Sequence, residues 1–262
     1  RDSTFTQKEI VQRDKFLDVR YLTVQSNEDL NSLVAELESS TSFTFDVETT
    51  SKNPMLADLV GIAFSTEPGK AWYVPMGHKD GKQIPIDTIL QKFRPLFLDS
   101  EIGKSAHNAN YDITVLARHG MTVRNLEFDT MLAAHMIGKQ SIGLKALALE
   151  YFGKEMTPIT DLIGTGRKQI TMDQVPINKA APYACADADF TKRLNAILRK
   201  EIGETNTSDL YKNLEVPLVQ VLVRMQLNGV LLNQELLSQM SSELAERLSA
   251  VETDVYDILG HE

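Results

Sequence analysis

The chain has almost no cysteine and no long apolar run. Cys185 is the only cysteine among 262 residues, so no intrachain disulfide can form, and a reducing compartment suits such a chain. No apolar stretch reaches the ~18 residues of a membrane span. The first residues are polar and charged, so we expect neither a signal peptide nor a membrane partner. With 14 glycines and 9 prolines, the composition also excludes collagen-like and low-complexity chains.

The chain also has fewer basic residues than acidic ones. The chain carries 27 lysines and arginines against 36 acidic residues, a net charge of -9. Proteins that bind many phosphates usually present a basic face, so the bulk charge argues against nucleic acid as a partner. A carboxylate site that binds divalent cations would partly meet this objection, because the ions bring the missing positive charge.

Hydrophobic periodicity divides the chain into three parts. Residues 1–20 are polar and aperiodic, and we interpret them as a linker or leader. Residues 21–203 alternate strand-like and helix-like runs, and residues 204–262 read as helical after a polar linker over 204–209. The strand-like runs are YLTVQS, FTFDVET, LVGIAFS, AWYVPM and the starts of IGKSAHNAN and LEFDTMLAAHMI. This order predicts an antiparallel meander within a mixed α/β sheet flanked by helices.

Several expectations concern how the helices begin, bend and end. Ser141 is expected to cap the helix of SIGLKALALEYFG, and Gly153 to stop it. The segment MTPITDLIGTGRKQI reads as a loop, and Pro217 is expected to kink the helix of LYKNLEVPLVQVLVRMQ. From Asn233, one long helix carries an apolar stripe at spacings of three and four, which predicts packing on another helix.

The run FTFDVETT contains two carboxylates where a buried strand is expected. Asp46 and Glu48 are two residues apart, so on a strand they point to the same face. At about 4 Å and an effective dielectric of about 20, two such charges repel by ~4 kcal/mol, and burial adds to this cost. Either one carboxylate is protonated or a cation lies between them. The chain has no Asp-Thr-Gly or Asp-Ser-Gly loop of the aspartic-protease kind, so we favour a cation.

The chemistry of the available ligands favours a hard cation. Oxygen-only ligands suit Mg²⁺ or Mn²⁺. Zinc is disfavoured because Cys185 is alone and the histidines show no four-residue spacing.

Two further clusters each contain two polar residues four positions apart, the spacing that places side chains on one face of a helix. Asn108 and Asp112 share a helix face in HNANYD, and Tyr183 and Asp187 share one in PYACADADF. Each also has a purely structural interpretation. Asn108 would cap a helix whose first turn carries Asp112, and Tyr183 would pack at the edge of an exposed helix face. Neither cluster decides between these interpretations by itself.

Taken together, the clusters resemble a known family. FDVET, NANYD and YACADAD match, in order, the three motifs of the DEDD superfamily of 3′→5′ exonucleases, and the tyrosine four residues before the last aspartate matches its tyrosine branch. More closely, the chain resembles the proofreading exonuclease domain of family A, polymerase I-type bacterial DNA polymerases. The segment GLKALALEYFG and the one from TPITDL to MDQVP resemble that family between its second and third motifs, and LEVPLVQVLVRMQLNGVLLNQELL resembles the start of its thumb.

The resemblance implies a fold and domain boundaries. The fold would be RNase H-like, with a mixed five-stranded sheet flanked by helices and an α-helical segment after it. The exonuclease domain would span 21–203, and 204–262 would begin the polymerase thumb. The partners would be a single-stranded or frayed 3′ end of DNA and the palm and fingers of the polymerase. The expected location is the bacterial cytoplasm, in association with the nucleoid.

The resemblance also assigns roles to individual residues. Two divalent ions, Mg²⁺ or Mn²⁺, would activate a water and stabilise the leaving 3′ oxygen, so that nucleoside 5′-monophosphates are released. Tyr183 would orient the water, although Pro182 beside it puts its orientation in doubt. Arg167 and Lys168 would either contact a phosphate or form a solvated loop. The ions' ligands would be Asp46, Glu48, Asp112 and Asp187, and the substrate contacts Thr49, Asn108 and Tyr111.

Three rival interpretations remain at this point. An RNase D-like exoribonuclease shares all three motifs, although the thumb-like C-terminal region disfavours it. A catalytically silent scaffold of a polymerase would not need the carboxylates and the tyrosine, which are all present. A fragment that binds single-stranded DNA but cleaves it poorly is the third.

Overall fold

The computed structural model describes residues 19–260, and the linker or leader expected over 1–20 lies almost entirely outside them. The described chain divides into two compact units, with the boundary between Leu227 and Asn228. The first unit is an α/β domain. Its strands are β1 (Arg20–Thr23), β2 (Ser42–Thr49), β3 (Leu59–Glu67), β4 (Lys70–Pro75), β5 (Gly103–Ala106) and β6 (Leu126–Asp129).

Helices connect and cover these strands. In chain order they are α1 (Asn27–Ser39), α2 (Ile86–Leu98), α3 (Ala109–Arg118), α4 (Thr130–Met136), α5 (Leu144–Phe152), α6 (Thr160–Ile163), α7 (Ile177–Gly203), α8 (Ser208–Leu210), α9 (Val216–Asn228) and α10 (Gln234–Leu259). Short 3₁₀ turns at Gly166–Lys168 and Met172–Gln174 lie between α6 and α7, and a π-helical turn at Tyr211–Glu215 precedes α9.

The sheet has the order β1-β4-β3-β2-β5-β6. β2, β3 and β4 form the predicted antiparallel meander, while β1, β5 and β6 each pair in parallel with a neighbour. The mixed α/β fold is therefore confirmed, but the sheet has six strands and not the expected five. The sixth is β1, a four-residue strand that adds to the free edge of β4.

The two faces of the sheet are covered differently. One face packs on a large apolar core that contains an aromatic group from β2, β3 and α2, namely Phe43, Phe45, Phe64, Phe93 and Phe97. The other face packs on α7 through small side chains. Ala180, Ala184 and Ala188 are fully buried there beside Val60 and Tyr73. A helix lined by alanines can approach a sheet closely, and α7 runs unbroken through Pro182.

Some local expectations need correction. α5 begins at Leu144 with Gly143 at the N-cap position, so Ser141 does not cap it, whereas Gly153 ends it in a left-handed conformation as expected. The segment expected to be a loop contains the short helix α6. The kink expected at Pro217 stays a prediction. A π-helical turn ends at Glu215, two residues before this proline, which cannot donate the backbone hydrogen bond of a regular helix.

The second unit consists mainly of α10. Asn233 caps it, since its side chain accepts a hydrogen bond of 3.0 Å from the Leu236 N–H. The apolar stripe predicted to pack on another helix is exposed, and Leu244 and Leu248 are each 60 % accessible. The sequence correctly predicted the helix and its apolar stripe. The prediction that this stripe packs on another helix is wrong for the described residues.

Candidate active site

Alternation along β2 separates its core residues from its carboxylates. Phe43, Phe45 and Val47 point into the apolar core. Asp46 and Glu48 therefore belong to the opposite face, which α7 covers. Thr44 on that face confirms the contact, because its hydroxyl donates a hydrogen bond of 3.0 Å to the Ala188 carbonyl.

Three of the predicted carboxylates meet between β2 and α7. One oxygen from each of Asp46, Glu48 and Asp187 lies within 4.8 Å of the others. Glu48 and Asp187 are buried, and Asp46 is half-buried. Glu48 Oε1 and Asp187 Oδ1 are fully enclosed, yet neither accepts a hydrogen bond in the described part of the chain. Asp187 Oδ1 has the Lys145 ammonium 3.6 Å away, beyond hydrogen-bond distance, and Glu48 Oε1 has no hydrogen-bond partner in this part of the chain. Buried acceptors without hydrogen-bond donors point to a ligand that supplies positive charge.

Asp112 lies beside this group but is not one of the three. It is 3 % exposed in the first turn of α3, and its Oδ1 accepts a hydrogen bond of 2.9 Å from the Val47 N–H. Val47 stands between Asp46 and Glu48 in the chain, so this bond fixes α3 against the carboxylate-bearing part of β2. The structure thus brings the fourth predicted ligand to the site with one oxygen bound to backbone.

The buried carboxylates of the site repel one another, and their pKa values are raised. Burial, followed by repulsion from neighbouring carboxylates, raises the pKa of Asp46 and of Glu48 well above the usual range. Burial also raises the pKa of Asp112 to about 7 and that of Asp187 to about 6. Four acidic groups that resist ionisation so close together fit divalent cations, which supply the compensating charge without needing a donor proton.

Tyr183 stands one helical turn before Asp187 on α7, as the spacing predicts. Burial and then the Asp187 charge raise its pKa, so the hydroxyl keeps its proton at neutral pH. Lys145, near the start of α5, lies against both residues. Its Nζ is 3.2 Å from the Tyr183 hydroxyl and 3.6 Å from Asp187 Oδ1.

Sequence reasoning missed Lys145. It lies 38 positions before Tyr183 in an otherwise ordinary helical segment, so no spacing rule connects the two.

A cavity of about 690 Å³ opens beside the carboxylates. The three predicted substrate residues, Thr49, Asn108 and Tyr111, all line it together with Glu48. The Thr49 and Tyr111 hydroxyls lie within hydrogen-bond distance of each other and of the Ser51 carbonyl. Because each hydroxyl has one proton, the two protons are shared among these three contacts, with one hydroxyl donating to the carbonyl and the other donating either to that hydroxyl or to the carbonyl. The rest of the lining comes mostly from α6, the residue that precedes it and the segment that joins it to α7, namely Ile159, Ile163, Gln169, Ile170, Thr171 and Met172.

Asn108 occupies the N-cap position of α3, but its side chain does not cap the helix. Its backbone is left-handed, with φ 68° and ψ 49°, a conformation that asparagine tolerates better than most residues. The cap comes instead from Asp129 at the end of β6, whose carboxylate accepts hydrogen bonds of 3.1 Å from the Asn108 N–H and 2.8 Å from the Ala109 N–H.

Asp129 is the second contributor that sequence reasoning missed. The same carboxylate accepts from the Met131 and Leu132 N–H groups and so caps α4 as well. An aspartate at the end of a strand and the start of a helix is an N-cap signal. That signal identifies the cap of α4 but not the bonds that Asp129 makes to a loop some twenty residues earlier.

Comparison with known proteins agrees with this geometry. Residues 21–203 match a family model described as 3′-5′ exonuclease. The match covers more than half of the chain and includes all four predicted carboxylate ligands. The chain therefore belongs to this 3′-5′ exonuclease family.

The curated relatives include several enzymes called DNA polymerase I. The chain is 41 % identical to that of Chloroflexus aurantiacus over 88 % of this chain and 25 % of the relative. It is 35 % identical to that of Pseudomonas aeruginosa over 94 % of this chain and 28 % of the relative. The chain thus spans about a quarter of the length of these relatives.

Solved structures share the fold. The polymerase domain of Pol1 from M. smegmatis, in complex with a DNA primer-template and dNTP, superposes with a TM-score of 0.69 and 21 % identity over 92 % of this chain and 38 % of that one. RNase D of Escherichia coli superposes with a TM-score of 0.60 and 17 % identity over 79 % of this chain and 51 % of that one. At such identities these likenesses concern the fold alone.

A search for membrane spans gave a negative result. Within residues 19–260, none of the helices combines the length and the apolar character needed to cross a bilayer.

Proposed function

We propose that this domain removes single nucleotides from the 3′ end of DNA by hydrolysis assisted by two divalent ions, and releases nucleoside 5′-monophosphates. The observation that carries the proposal is the group of Asp46, Glu48 and Asp187, with two buried oxygens that accept no hydrogen bond. An all-carboxylate set of this kind suits Mg²⁺ or Mn²⁺. Asp46, Glu48, Asp112 and Asp187 would be the ligands.

The ions would supply the positive charge that activates a water and stabilises the leaving 3′ oxygen. The protein's own residues do the positioning. β2 presents two carboxylates from one rigid strand, α7 brings Asp187 to them, and the Val47 N–H holds Asp112 in place. Tyr183 retains its proton, so it orients the attacking water and does not act as a base.

The cavity beside the carboxylates would bind the terminal nucleotide. At about 690 Å³ it falls within the range of about 300–1,000 Å³ that is usual for small-molecule sites. Thr49, Tyr111 and Asn108 provide polar groups on one wall. Other lining residues provide apolar side chains, such as those of Ile159 and Ile170, against which a base can pack. Such a site binds the last nucleotides locally, which suits a chain with a net charge of -9.

The relatives give a wider setting for this activity. Because the curated relatives are DNA polymerases about four times longer, we infer a proofreading role beside a polymerase domain in the bacterial cytoplasm, at the nucleoid. Residues 204–262 would begin the thumb, and the exposed apolar stripe of α10 would pack against the palm and fingers or the rest of the thumb. Residues 1–20 would be a linker or leader.

The test is a cleavage assay on matched oligonucleotides. A 5′-labelled single-stranded DNA and an RNA of the same sequence are incubated with Mg²⁺, Mn²⁺ or EDTA, and the products are resolved on a gel. We expect the DNA to shorten stepwise from its 3′ end in either metal and not in EDTA. Asp187→Asn should abolish this ladder, whereas Asp80→Asn, which changes an exposed loop carboxylate, should not.

Other outcomes would contradict the proposal in different ways. Preferential shortening of the RNA would indicate an exoribonuclease, and internal cuts would indicate an endonuclease. A folded protein that cleaves neither strand in any metal would leave a scaffold as the better interpretation.

A further inference from the structure

Lys145 is a cation that lies directly beside the predicted carboxylates and tyrosine but was not among the predicted site residues. It is the second residue of α5, and its side chain is 34 % exposed. Its Nζ lies 4.4 Å from the centroid of the Tyr183 ring and 3.2 Å from the Tyr183 hydroxyl. One side chain thus covers the face of the tyrosine and also contacts its oxygen.

The direction of these hydrogen bonds follows from the chemistry of the groups. An ammonium can only donate, so the Tyr183 oxygen accepts from Lys145. The Tyr183 proton must then be donated elsewhere, and we infer that its acceptor is the Asp187 carboxylate, which lies one turn along α7 and whose charge raises the pKa of Tyr183. The phenol oxygen keeps one remaining lone pair. With its donor committed, the hydroxyl can meet a water only as an acceptor.

We propose that Lys145 is a positioning residue of the exonuclease site, which acts through Tyr183 by fixing its hydroxyl as an acceptor for the attacking water. An O–H of the water donated to Tyr183 turns a lone pair of the water towards the phosphorus atom. The inference rests on the proposed function, because it needs a water that attacks a phosphodiester. It adds a residue from α5 to a site otherwise built from β2, α3 and α7.

Lys145 could instead act by itself, for example by contacting a phosphate oxygen. The two roles differ in their dependence on Tyr183. A residue that works only through Tyr183 has nothing left to act on when the hydroxyl is removed, and residues that act as a unit show non-additive losses. A residue that contacts phosphate keeps its effect in either background.

The experiment is a double-mutant cycle with single-turnover cleavage of 5′-labelled single-stranded DNA in Mg²⁺. The variants are Lys145→Met, Tyr183→Phe and the double variant, and Lys154→Met serves as a control that removes one exposed positive charge just after α5. We expect Lys145→Met to lower the cleavage rate roughly tenfold with KM changed less than about twofold. The double variant should be no slower than Tyr183→Phe, and Lys154→Met should match the wild type.

Further readouts keep the result interpretable. Thermal melts and Mn²⁺ titration followed by electron paramagnetic resonance show whether each variant folds and still binds metal. Lys145→Arg should recover part of the rate, because it restores a donor, and Lys145→Gln gives a second neutral variant. Multiplied losses in the double variant, a defect confined to KM, or an unchanged rate in Lys145→Met would each overturn the proposal. If the wild type itself fails to cleave, the proposed function fails first, and this outcome differs from all the others.

Discussion

The Val47 N–H donates a hydrogen bond of 2.9 Å to Asp112 Oδ1, and this bond joins β2 to α3 at the carboxylate site. Val47 carries no chemistry of its own, because its side chain lies in the apolar core. Its backbone nevertheless stands between two predicted metal ligands and holds a third. Asp112 therefore has a structural role and a proposed catalytic role, and substitutions can separate the two.

Asp112→Asn and Asp112→Ala should differ in stability but not in activity. Both remove a proposed metal ligand, so both should lose at least ~100-fold in cleavage rate. Asparagine keeps an oxygen that can accept from Val47, whereas alanine leaves that buried N–H without a partner, at a cost of about 1–3 kcal/mol. Urea denaturation should therefore show a lower midpoint for the alanine variant alone. Equal midpoints for the two variants would mean that the bond contributes little.

The stability of the metal-free domain should depend on Asp187 and on pH. Burial raises the pKa of Asp187 from 3.8 to about 6, so the folded chain holds this proton more tightly than the unfolded chain. The folded state therefore loses stability as the pH rises from about 4 to about 6, and the loss stays complete above this range. Asp187→Asn removes the contribution of Asp187, so the variant should be more stable than the wild type at pH 8 by about 3 kcal/mol.

The measurement is the melting temperature of both proteins in EDTA across that pH range. At pH 4 the two curves should converge, since the carboxyl is then protonated. Adding Mg²⁺ at pH 8 should raise the melting temperature of the wild type more than that of Asp187→Asn, because ligand binding stabilises the folded state. A gap between the curves that does not change with pH would contradict the electrostatic explanation.

Asp129 should affect substrate binding without touching the substrate. Asp129→Ala removes the acceptor that holds the Asn108 and Ala109 N–H groups and caps α4. We expect a loss of about 2 kcal/mol in unfolding free energy and a higher KM for DNA, because Asn108 is no longer held at the cavity wall. Kinetics at temperatures well below the melting transition would measure the second effect. Asp80→Ala is the matched control on an exposed loop.

Tyr111→Phe tests the polar wall of the cavity. The change removes the hydroxyl that contacts both Thr49 and the Ser51 carbonyl while it keeps the ring. KM for single-stranded DNA should rise several-fold with the rate at saturation nearly unchanged, since the loss of one hydrogen bond costs about 1 kcal/mol. Steady-state kinetics on a short oligonucleotide would show this. A fall in the saturated rate with KM unchanged would place Tyr111 in the chemical step.

The parts of the fold that sequence predicted well are those in which the signal is local. β2, β3 and β4 were recognisable from their apolar runs and the intervening turn, and the three exonuclease motifs each fit within a few residues. The alternation of β2 correctly placed Asp46 and Glu48 on one face. β1 pairs with β4 about fifty residues later, and a four-residue strand carries too little pattern to reveal such a pairing.

The missed contributors share the same cause. Lys145 reaches Tyr183 only because α5 packs against α7, and Asp129 reaches Asn108 only because β5 and β6 lie side by side. Neither of these two contacts produces a periodic pattern in the sequence. The helix start at Leu144 was misplaced for a related reason, since Ser141, a cap signal three residues earlier, does not cap the helix.

The alanines of α7 have a consequence for the choice of metal. The distance from Asp187 to β2 depends on how α7 lies on the sheet, through the contact of Ala180, Ala184 and Ala188 with β3 and β4 and the hydrogen bond from Thr44 to the Ala188 carbonyl. The width of the gap available to an ion between Asp187 and β2 therefore depends partly on alanine methyl groups that are not ligands of the ion. Ala184→Val would push α7 away from the sheet, so the preference between ions of different radius would change through the helix–sheet contact while every proposed ligand is kept.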